Sequence, residues 1–327
     1  MIKDHYIFST GRLQRKDNTL YFVDAEGNKK SLPIEQTENV HIFGQVDVNS
    51  TLFNLLAQYG IRLHFYNYYG YFTGTFCPRA QNVSGYTVVQ QSAHYLNREK
   101  RLYLARSFLY GGIHHMLRNL RRHKEKTEEM VQTIEAEAAK LEEVGEIPEV
   151  MGVEGRIRQE YYQAFNVILK PEFSFEKRTK RPPADPLNAL ISFGNSRMYT
   201  EILSEIYKTM LDPTVSFLHE PSNKRFSLSL DLAEIFKPLL VDTIIASLTN
   251  NRAITLKHFD EMEGIVFLND EGRKKFLTEW EKKLGTTVQH RTLKRKVSYR
   301  YLIRLECYKL IKHFIGDTIY KPLKAWW

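Results

Sequence analysis

Residues 216–238 read SFLHEPSNKRFSLSLDLAEIFKP, and the rest of the chain is interpreted outward from this stretch. A short apolar run ends at His219, a turn follows, and an apolar segment then carries Asp231 and Glu234. The two acids are three residues apart, so on a helix they share one face. Two close carboxylates are costly to bury alone beside apolar neighbours. The stretch therefore predicts a helix whose acidic face is wet, ion-paired or metal-bound.

Two interpretations of this helix stay open at the level of residues. The first is an amphipathic helix, capped by Ser227 or Ser229, with a solvated acidic edge and a surface histidine. The second is a metal site, because an acid pair and a loop histidine form a ligand set for a hard divalent cation with one softer donor.

A third acid lies in another predicted helix, in the sequence VEGRIRQEYYQAFNVIL of residues 153–169. We predict that Glu154 lies in the first turn of this helix, where a carboxylate suits the positive end of the helix dipole. The functional alternative is that Glu154 is a metal ligand, brought to His219 and Glu234 by folding.

Composition indicates a globular protein with an anionic partner. The chain has 327 residues, with 47 Lys plus Arg against 38 Asp plus Glu, a formal charge of +9. This excess favours nucleic acid as the partner. Cys77 and Cys307 are far apart in sequence, which excludes a disulfide framework or zinc cluster and suits a reducing cytosol. We expect neither a secretory signal nor a membrane span.

The fold class predicted from these patterns is α+β. Residues 1–78 contain short β-branched and aromatic runs separated by turn signals, together with one helix from Thr51 to Tyr59 that Ser50 caps and Gly60 closes. We place a linker at residues 79–89. Residues 90–327 are predicted to be an all-α domain, because apolar residues recur there near a 3.6-residue period.

Basic side chains concentrate in three segments of the helical part. The stretch with Arg118 and Arg122 is predicted to be a solvated helix face, in a helix that Gly111-Gly112 kinks or brings close to another backbone. A proline-bearing loop, residues 170–185, has a basic tip, and residues 289–312 form a basic stripe with interleaved tyrosines if they are helical. The predicted DNA-binding residues are Lys177, Arg178, Lys180, Arg181, Arg291, Lys294, Arg295, Lys296 and Arg300.

Several catalytic signatures are absent from the sequence. It has no GxxxxGK[ST] phosphate loop, no GxGxxG turn, no GxSxG elbow and no HExxH pair. Metal-assisted chemistry at carboxylates and a histidine is therefore the enzymatic interpretation with most support.

The motifs together resemble one known family. Glu154-Gly155, the runs RPPADPLNALISFGNS (residues 181–196), LDPTVSFLHE (211–220) and FSLSLDLAEIFKP (226–238), and the segment YIFSTGRLQRKDNTLYF near the N-terminus carry the likeness. They resemble the CRISPR-associated integrase-endonuclease of spacer acquisition, the large core protein of the adaptation complex, and most closely its subtype I-B members. The resemblance covers nearly the whole chain.

The resemblance implies a set of site residues. The family's metal ligands fall on Glu154, His219 and Glu234, which would hold Mn²⁺ or Mg²⁺, and Asp231 matches a further acid beside the site. Some members have aspartate in place of Glu234, and many have arginine in place of Lys237. An arginine at this position could contact a phosphate or carboxylate with two nitrogens at once, and Lys237 does not make such a bidentate contact.

The resemblance also implies an activity and partners. The protein would cut or join DNA by phosphoryl transfer, inserting a short spacer fragment at the border of a CRISPR repeat. It would act on double-stranded DNA as a homodimer, paired through its β domain, with a small ferredoxin-like companion protein. Two other functions fit the residues: a non-enzymatic DNA-binding scaffold, and a metal hydrolase for a small phosphorylated substrate, which leaves the basic tail unexplained.

Overall fold

The computed structural model describes residues 3–17, 19–79, 83–174, 176–179, 182–223 and 225–327. The chain divides into two compact units, Met1–Gln81 and Asn82–Trp327. The linker predicted at residues 79–89 spans this division, and the first helix of the second unit begins within it.

The first unit is built from two four-stranded sheets and one helix. The first sheet has the order β1-β5-β7-β8, with parallel pairs except between β7 and β8. The second has the order β4-β3-β2-β6, antiparallel except between β2 and β6. The elements are β1 Lys3–Ile7, β2 Gly11–Lys16, β3 Thr19–Asp24, β4 Lys29–Leu32, β5 Thr37–Ile42, β6 Val46–Asp47, α1 Ser50–Tyr59, β7 Arg62–Tyr66 and β8 Phe72–Phe76.

Side-chain alternation along the strands produces the core of this unit. Val40 and Ile42 of β5 and Leu63 of β7 are buried in one apolar cluster, because residues two apart in a strand point to the same face. The helix α1 ends at Gly60, as predicted, with φ of 68°. Its cap differs from the prediction: Asn49, not Ser50, accepts the hydrogen bond from the backbone N–H of Leu52.

The second unit is mostly helical and includes two short hairpins. No helix among the described residues combines the length and the apolar character needed to cross a membrane. The helices are α2 Gly85–Leu96, α3 Arg98–Arg121, α4 Lys124–Ala139, α5 Ile147–Gln163, α6 Phe165–Ile168, α7 Pro186–Ile206, α8 Ser227–Phe236, α9 Asp242–Asn250, α10 Asp270–Gly285 and α11 Tyr299–Phe314; the hairpin strands are β9 Phe259–Met262, β10 Ile265–Leu268, β11 Thr287–Gln289 and β12 Lys296–Ser298. The predicted α+β class is confirmed, and the hairpins are an addition to the predicted all-α domain.

Two glycines let α3 approach α8 closely. A Cβ on Gly112 would lie 2.5 Å from the carbonyl oxygen of Glu234, and one on Gly111 would lie 3.1 Å from Ile235. Of the two alternatives for this glycine pair, the structure shows the close approach, since α3 continues unbroken through it. This close contact sets the position of Glu234 along the axis of α3.

The helix that carries Glu154 begins earlier than the sequence predicted. It starts at Ile147, with Pro148 in its first turn and a capping box between Glu146 and Glu149. A proline is tolerated there because the first N–H groups of a helix have no intrahelical partner. Glu154 therefore lies about two turns inside α5, and the prediction that the helix dipole explains it is wrong.

The basic tail does not form one continuous helix. Residues 287–298 form the β11–β12 hairpin, in which Gln289 pairs with Lys296, and α11 begins only at Tyr299. Lys294, in the turn between β11 and β12, adopts a φ of 53°, a left-handed conformation that is incompatible with a continuous right-handed helix.

Candidate active site

A buried carboxylate orients the loop histidine. Asp231 on α8 is fully buried, and its Oδ2 accepts hydrogen bonds from the backbone N–H groups of Phe217 at 2.6 Å and Leu218 at 3.0 Å. Its Oδ1 lies 2.9 Å from the backbone nitrogen of His219 and 2.8 Å from ring atom Nδ1. A carboxylate is an acceptor, so Nδ1 carries a proton, and in the neutral ring Nε2 keeps its lone pair. The side chain of His219 is 20% exposed, so this nitrogen is within reach of a ligand.

A chain of alternating charges links α5 to α8. The Nε of Arg158 donates to Oε1 of Glu154 at 3.2 Å, and its Nη2 donates to Oε2 of Glu234. Oε1 of Glu234 also accepts from the ammonium of Lys237 at 2.6 Å. Glu234 and Lys237 are nearly inaccessible, whereas the side chain of Glu154 is 24% exposed. One guanidinium thus bridges the two carboxylates predicted as metal ligands.

Electrostatics keep this buried chain ionised. Burial acts to raise the pKa of Glu234, but Arg158, Lys237 and His219 outweigh burial and hold that pKa far below its usual range. Burial acts to lower the pKa of Arg158, and Glu234 reverses the effect and raises it. Breaking a buried pair of this kind by removing one partner typically costs about 3–5 kcal/mol.

A third carboxyl group lies beside this chain, where α8 passes through a π-helical turn, Lys237–Val241, into α9. Such turns are frequent at functional sites. Asp242 is buried, and its carboxyl oxygens have no hydrogen bond of good geometry among the described residues, the hydroxyl of Tyr161 being only a weak donor to them. Burial raises the pKa of Asp242 to about 7, although Arg158 and Lys237 oppose the shift. Asp242 is therefore the member of the cluster whose carboxyl group changes charge near neutral pH.

The first interpretation of the organising stretch, a solvated acidic edge, is wrong. Both acids of α8 are buried and paired, because the loop before the helix folds over Asp231 and α5 supplies a cation to Glu234. The predicted serine cap is also wrong. The hydroxyl of Ser227 donates to the carbonyl of Thr214 at 2.8 Å and that of Ser229 to the carbonyl of Phe226 at 2.7 Å, so neither accepts from the helix N-terminus.

The three predicted metal ligands come from two helices and a loop, and the structure draws them toward one region. Arg158 connects Glu154 to Glu234, and His219 lies close enough to Glu234 to lower its pKa. Within the described ranges no group of three His, Cys, Asp or Glu side chains has the spacing to hold an ion. The guanidinium supplies the positive charge between the carboxylates, and the metal-ligand role of these residues stays a prediction.

The predicted DNA-binding residues occupy two kinds of surroundings. Arg178 is tied to α7, donating to Oδ1 of Asn188 at 2.7 Å, and Arg300 is paired with Glu201 and Glu281. Five others are exposed, and among them two arginines face aromatic rings, at 4.9 Å in one case and 5.4 Å in the other. The exposed residues are Lys177, Arg291, Lys294, Arg295 and Lys296. Lys180 and Arg181 lie outside the described residues.

Sequence reasoning missed Arg158 and Asp242. Arg158 follows Glu154 by four residues, a spacing that indicates a helical ion pair and could have drawn attention to it. Asp242 carries no such signal, because the charge that faces it from α5, Arg158, is distant in sequence.

Comparisons with known proteins place this geometry in a family. The profile described as CRISPR associated protein Cas1 matches residues 5–282. The CRISPR-associated endonuclease Cas1 of Clostridium perfringens is 58% identical over 330 residues, covering all of both chains. Among solved structures, a CAS1 protein from Thermotoga maritima has 40% identity and a TM-score of 0.90, covering 98% of this chain and 100% of that one.

Two more distant structures share the fold alone. A casposase bound to its integration product has a TM-score of 0.89 at 21% identity, covering 99% of this chain and 94% of that one. A chain of a Cas6-RT-Cas1–Cas2 complex has a TM-score of 0.83 at 16% identity, covering 99% of this chain and 36% of that one.

Proposed function

Because this chain belongs to the CRISPR-associated Cas1 family, we propose that it is a metal-dependent DNA endonuclease and integrase that inserts short spacer fragments into a CRISPR array. The resemblance drawn from the sequence is confirmed at the level of the family. Its close relative is named an endonuclease, and the casposase that shares its fold is bound to an integration product.

One observation of this structure carries the proposal. Two carboxylates, Glu154 and Glu234, converge on a single positive charge, and a histidine held by a buried carboxylate faces the same region. A purely structural ion pair has no need of the second carboxylate or of an oriented imidazole with an accessible nitrogen. The arrangement is that of a site prepared to exchange one cation for another.

The donor set suits Mn²⁺ or Mg²⁺. Carboxylate oxygens are the ligands of hard divalent ions, and one imidazole favours Mn²⁺ at least as much as Mg²⁺. Glu154, Glu234 and Nε2 of His219 would hold the ion after Arg158 withdraws from the carboxylates. Such an ion polarises the phosphate and stabilises charge on the attacking and leaving oxygens.

The residues of the chain have separate tasks in this proposal. Asp231 holds the ring of His219 in one tautomer and one orientation. Lys237 keeps Glu234 ionised within a dry environment. Arg158, once released, presents a planar set of donors that matches a phosphate.

The two modes of the reaction differ only in the nucleophile. Water attacks the phosphorus atom in the nuclease mode, and the 3′-hydroxyl of a spacer end attacks it in the integrase mode. In both modes the bond to the leaving oxygen breaks as the new one forms. The integrase mode, at a repeat border, is the biological reaction that family membership favours.

The proposed partners follow the same reasoning. The protein acts on double-stranded DNA, both spacer fragment and CRISPR repeat, as a homodimer joined through its β unit. A small ferredoxin-like CRISPR-associated protein completes the assembly. The charge of +9 supports a DNA partner, and the similar fold found in a Cas6-RT-Cas1–Cas2 complex supports a companion protein.

A nicking assay with Mn²⁺ separates this proposal from its main rival, a non-enzymatic DNA-binding scaffold. Glu154→Gln, His219→Ala and Glu234→Gln should each reduce cleavage of a supercoiled plasmid by about 100-fold or more, a loss typical of a removed catalytic group. DNA binding should remain within a few-fold of the parent.

The matched control is Glu220→Gln, since this neighbour of His219 is an exposed acid paired with Arg101. It should cut like the parent. Thermal melting with and without Mn²⁺ adds a reading independent of activity: the ion should stabilise the parent and not the Glu154 variant. Three variants that all cut like the parent would overturn the catalytic assignment.

A further inference from the structure

Arg118, in the last turn of α3, and Arg122, the residue that caps this helix, are among the basic residues of the second unit that have no ion pair with a described carboxylate. Arg118 and Arg122 are four residues apart and therefore lie on one face of the helix. Arg118 is half-buried, contrary to the solvated face predicted from the sequence. Arg121, between them, pairs with Glu135, but neither Arg118 nor Arg122 has an ion pair with any carboxylate that the structure describes.

A third cation, Lys283 on α10, is connected to α3 through residues 325–327. The backbone N–H of Ala325 donates to Nε2 of His115 on α3 at 3.0 Å, and two residues later the indole of Trp327 donates to the hydroxyl of Tyr299 at 2.6 Å. The ammonium of Lys283 on α10 stands 5.2 Å from the centre of that same Tyr299 ring. Residues 325–327 therefore connect α3, which carries Arg118, to the surroundings of Lys283.

The three cations affect one another. Burial lowers the pKa of Lys283, and the charges of Arg122 and Arg118 lower it further, while the charge of Glu279 opposes them. Burial also lowers the pKa of Arg118, and Arg122 adds to the effect. Like charges held together and partly desolvated are destabilising in the free protein. No acid that the structure describes is within ion-pair distance to relieve the repulsion, so the cluster is suited to an added anion.

Half-exposed aromatic rings adjoin the cluster. Trp326 and Trp327 are both half-buried, with ring centres 4.7 Å apart. The guanidinium of Arg291 lies 4.9 Å from the centre of the Trp326 ring. Aromatic rings beside positive charge are the surface on which unpaired bases stack.

From these contacts we propose that Arg118, Arg122 and Lys283 form a phosphate-binding subsite for a nucleic-acid strand, with the rings of Trp326 and Trp327 as its stacking surface. The inference rests on the proposed function, because the strand is part of the DNA substrate. Its position supports this: the next residue along α3, Asn119, donates to the carbonyl of Pro238 at 2.7 Å, just beyond Glu234. The helix that carries the subsite thus also supports the candidate active site.

DNA binding without metal tests the subsite. The triple variant Arg118→Gln/Arg122→Gln/Lys283→Gln is compared with Arg12→Gln/Arg98→Gln/Lys282→Gln, which loses the same charge from residues paired with Asp47, Glu146 and Glu279. Fluorescence anisotropy in EDTA measures affinity for single-stranded and duplex oligonucleotides between about 50 and about 500 mM salt, a tenfold range over which the salt slope can be read. The subsite variant should bind single strands about ten-fold more weakly, with a salt slope lower by about 2, while the control changes about two-fold or less.

Thermal melting separates a binding role from a structural one. Because repulsion is removed, the subsite variant should melt at the parent's temperature or above it. Tripolyphosphate should stabilise the parent more than the variant. A variant that melts lower and binds DNA like the parent would assign a structural role to these residues and overturn the proposal.

The stacking surface has its own test. Trp326→Leu should weaken binding of single strands several-fold and leave duplex binding unchanged, since duplex bases are already stacked. Equal loss in the subsite and control triples, or tripolyphosphate binding without any DNA effect, would also overturn the proposal. Cleavage plays no part in these measurements, so a failure here leaves the catalytic proposal standing, and a failed nicking assay leaves this result standing.

Discussion

At the scale of residues, the candidate site depends on how each buried carboxylate is paired. Asp231 is satisfied by four donors, three from the backbone of the loop that carries His219 and one from its ring. Glu234 is satisfied by two cations, Arg158 from α5 and Lys237 from the π-helical turn after α8. A carboxylate fixed by backbone donors holds its geometry, whereas one held by flexible cations is free to exchange them.

Asp231→Asn tests the fixed carboxylate. An amide places an N–H₂ group where two or more donors now converge, so we expect a loss of stability of about 2–3 kcal/mol. Nicking should fall further than the loss of folded protein explains, because the ring of His219 loses its orientation.

Nitrogen NMR of the histidine ring gives the decisive reading. The parent should show the tautomer with the proton on Nδ1, and the variant a mixture of both. An unchanged tautomer in the variant would contradict the positioning role of Asp231.

Asp242 predicts a pH dependence of stability. Its pKa in the folded state is about 7, above the value of about 3.9 for an unfolded chain. Between these values the unfolded state releases the proton and the folded state keeps it, so the contribution of this group falls as pH rises from about 4 to about 7 and is constant above. Glu234 has the opposite shift, and its contribution is lost only below the usual glutamate range.

Urea denaturation at several pH values measures this effect. Asp242→Asn mimics the protonated form, so the variant should lose less stability than the parent between pH 5 and pH 8, two points chosen about the folded-state pKa. The control is Asp260→Asn, an exposed position on β9 that should follow the parent. Parallel profiles for the parent and the Asp242 variant would contradict the prediction.

At the scale of elements, the site depends on how closely three helices pack. The glycine pair of α3 lets the backbones of α3 and α8 meet. Arg158 of α5 is the cation that Glu154 and Glu234 share. The π-helical turn after α8 then redirects the chain into α9. Small residues at a helix contact thus determine the distance between the charged groups on either side.

Gly112→Ala tests the helix contact. The added Cβ would lie 2.5 Å from the carbonyl oxygen of Glu234, so α3 and α8 must separate. Overpacking of this kind typically costs about 1–3 kcal/mol, and nicking should fall as Glu234 moves.

Gly155→Ala is the matched control, because a Cβ there meets nothing within 4 Å. Alanine in an open helical position should stabilise α5 by about 0.5–1 kcal/mol. Chemical denaturation of both variants gives the comparison, and equal effects of the two substitutions would contradict the close-contact argument.

At the scale of the whole molecule, the chain is two units with different content. The unit Met1–Gln81 has an apolar core between two small sheets. The unit Asn82–Trp327 carries the candidate active site and the proposed phosphate-binding subsite. Single aromatic rings of the first unit, such as Tyr59 and Tyr68, are exposed.

The proposed homodimer gives the prediction at this scale. Light scattering of the full chain should give twice the monomer mass of 38.5 kDa. A contact through the apolar β unit should persist at about 1 M salt, because apolar burial is not screened as charge is. A monomer mass at every concentration, or a dimer lost at high salt, would contradict an interface of this kind.

The sequence by itself determined the two-part α+β architecture and the residues around which the site is built. The helix ending at Gly60 follows from local chemistry, whereas the pair Gly111-Gly112 left a kink and a close approach as alternatives between which the structure decided. The ordered motifs around Glu154, His219 and Glu234 likewise identified the family, because each is a short run of neighbouring residues.

Only the tertiary structure decided what these side chains do to one another. The burial of Asp231, the bridge made by Arg158 and the unpaired cations at Arg118, Arg122 and Lys283 depend on segments separated by tens to hundreds of residues. Charge and burial act through space and not along the chain, so no pattern in one segment reveals which charge the fold will place against it.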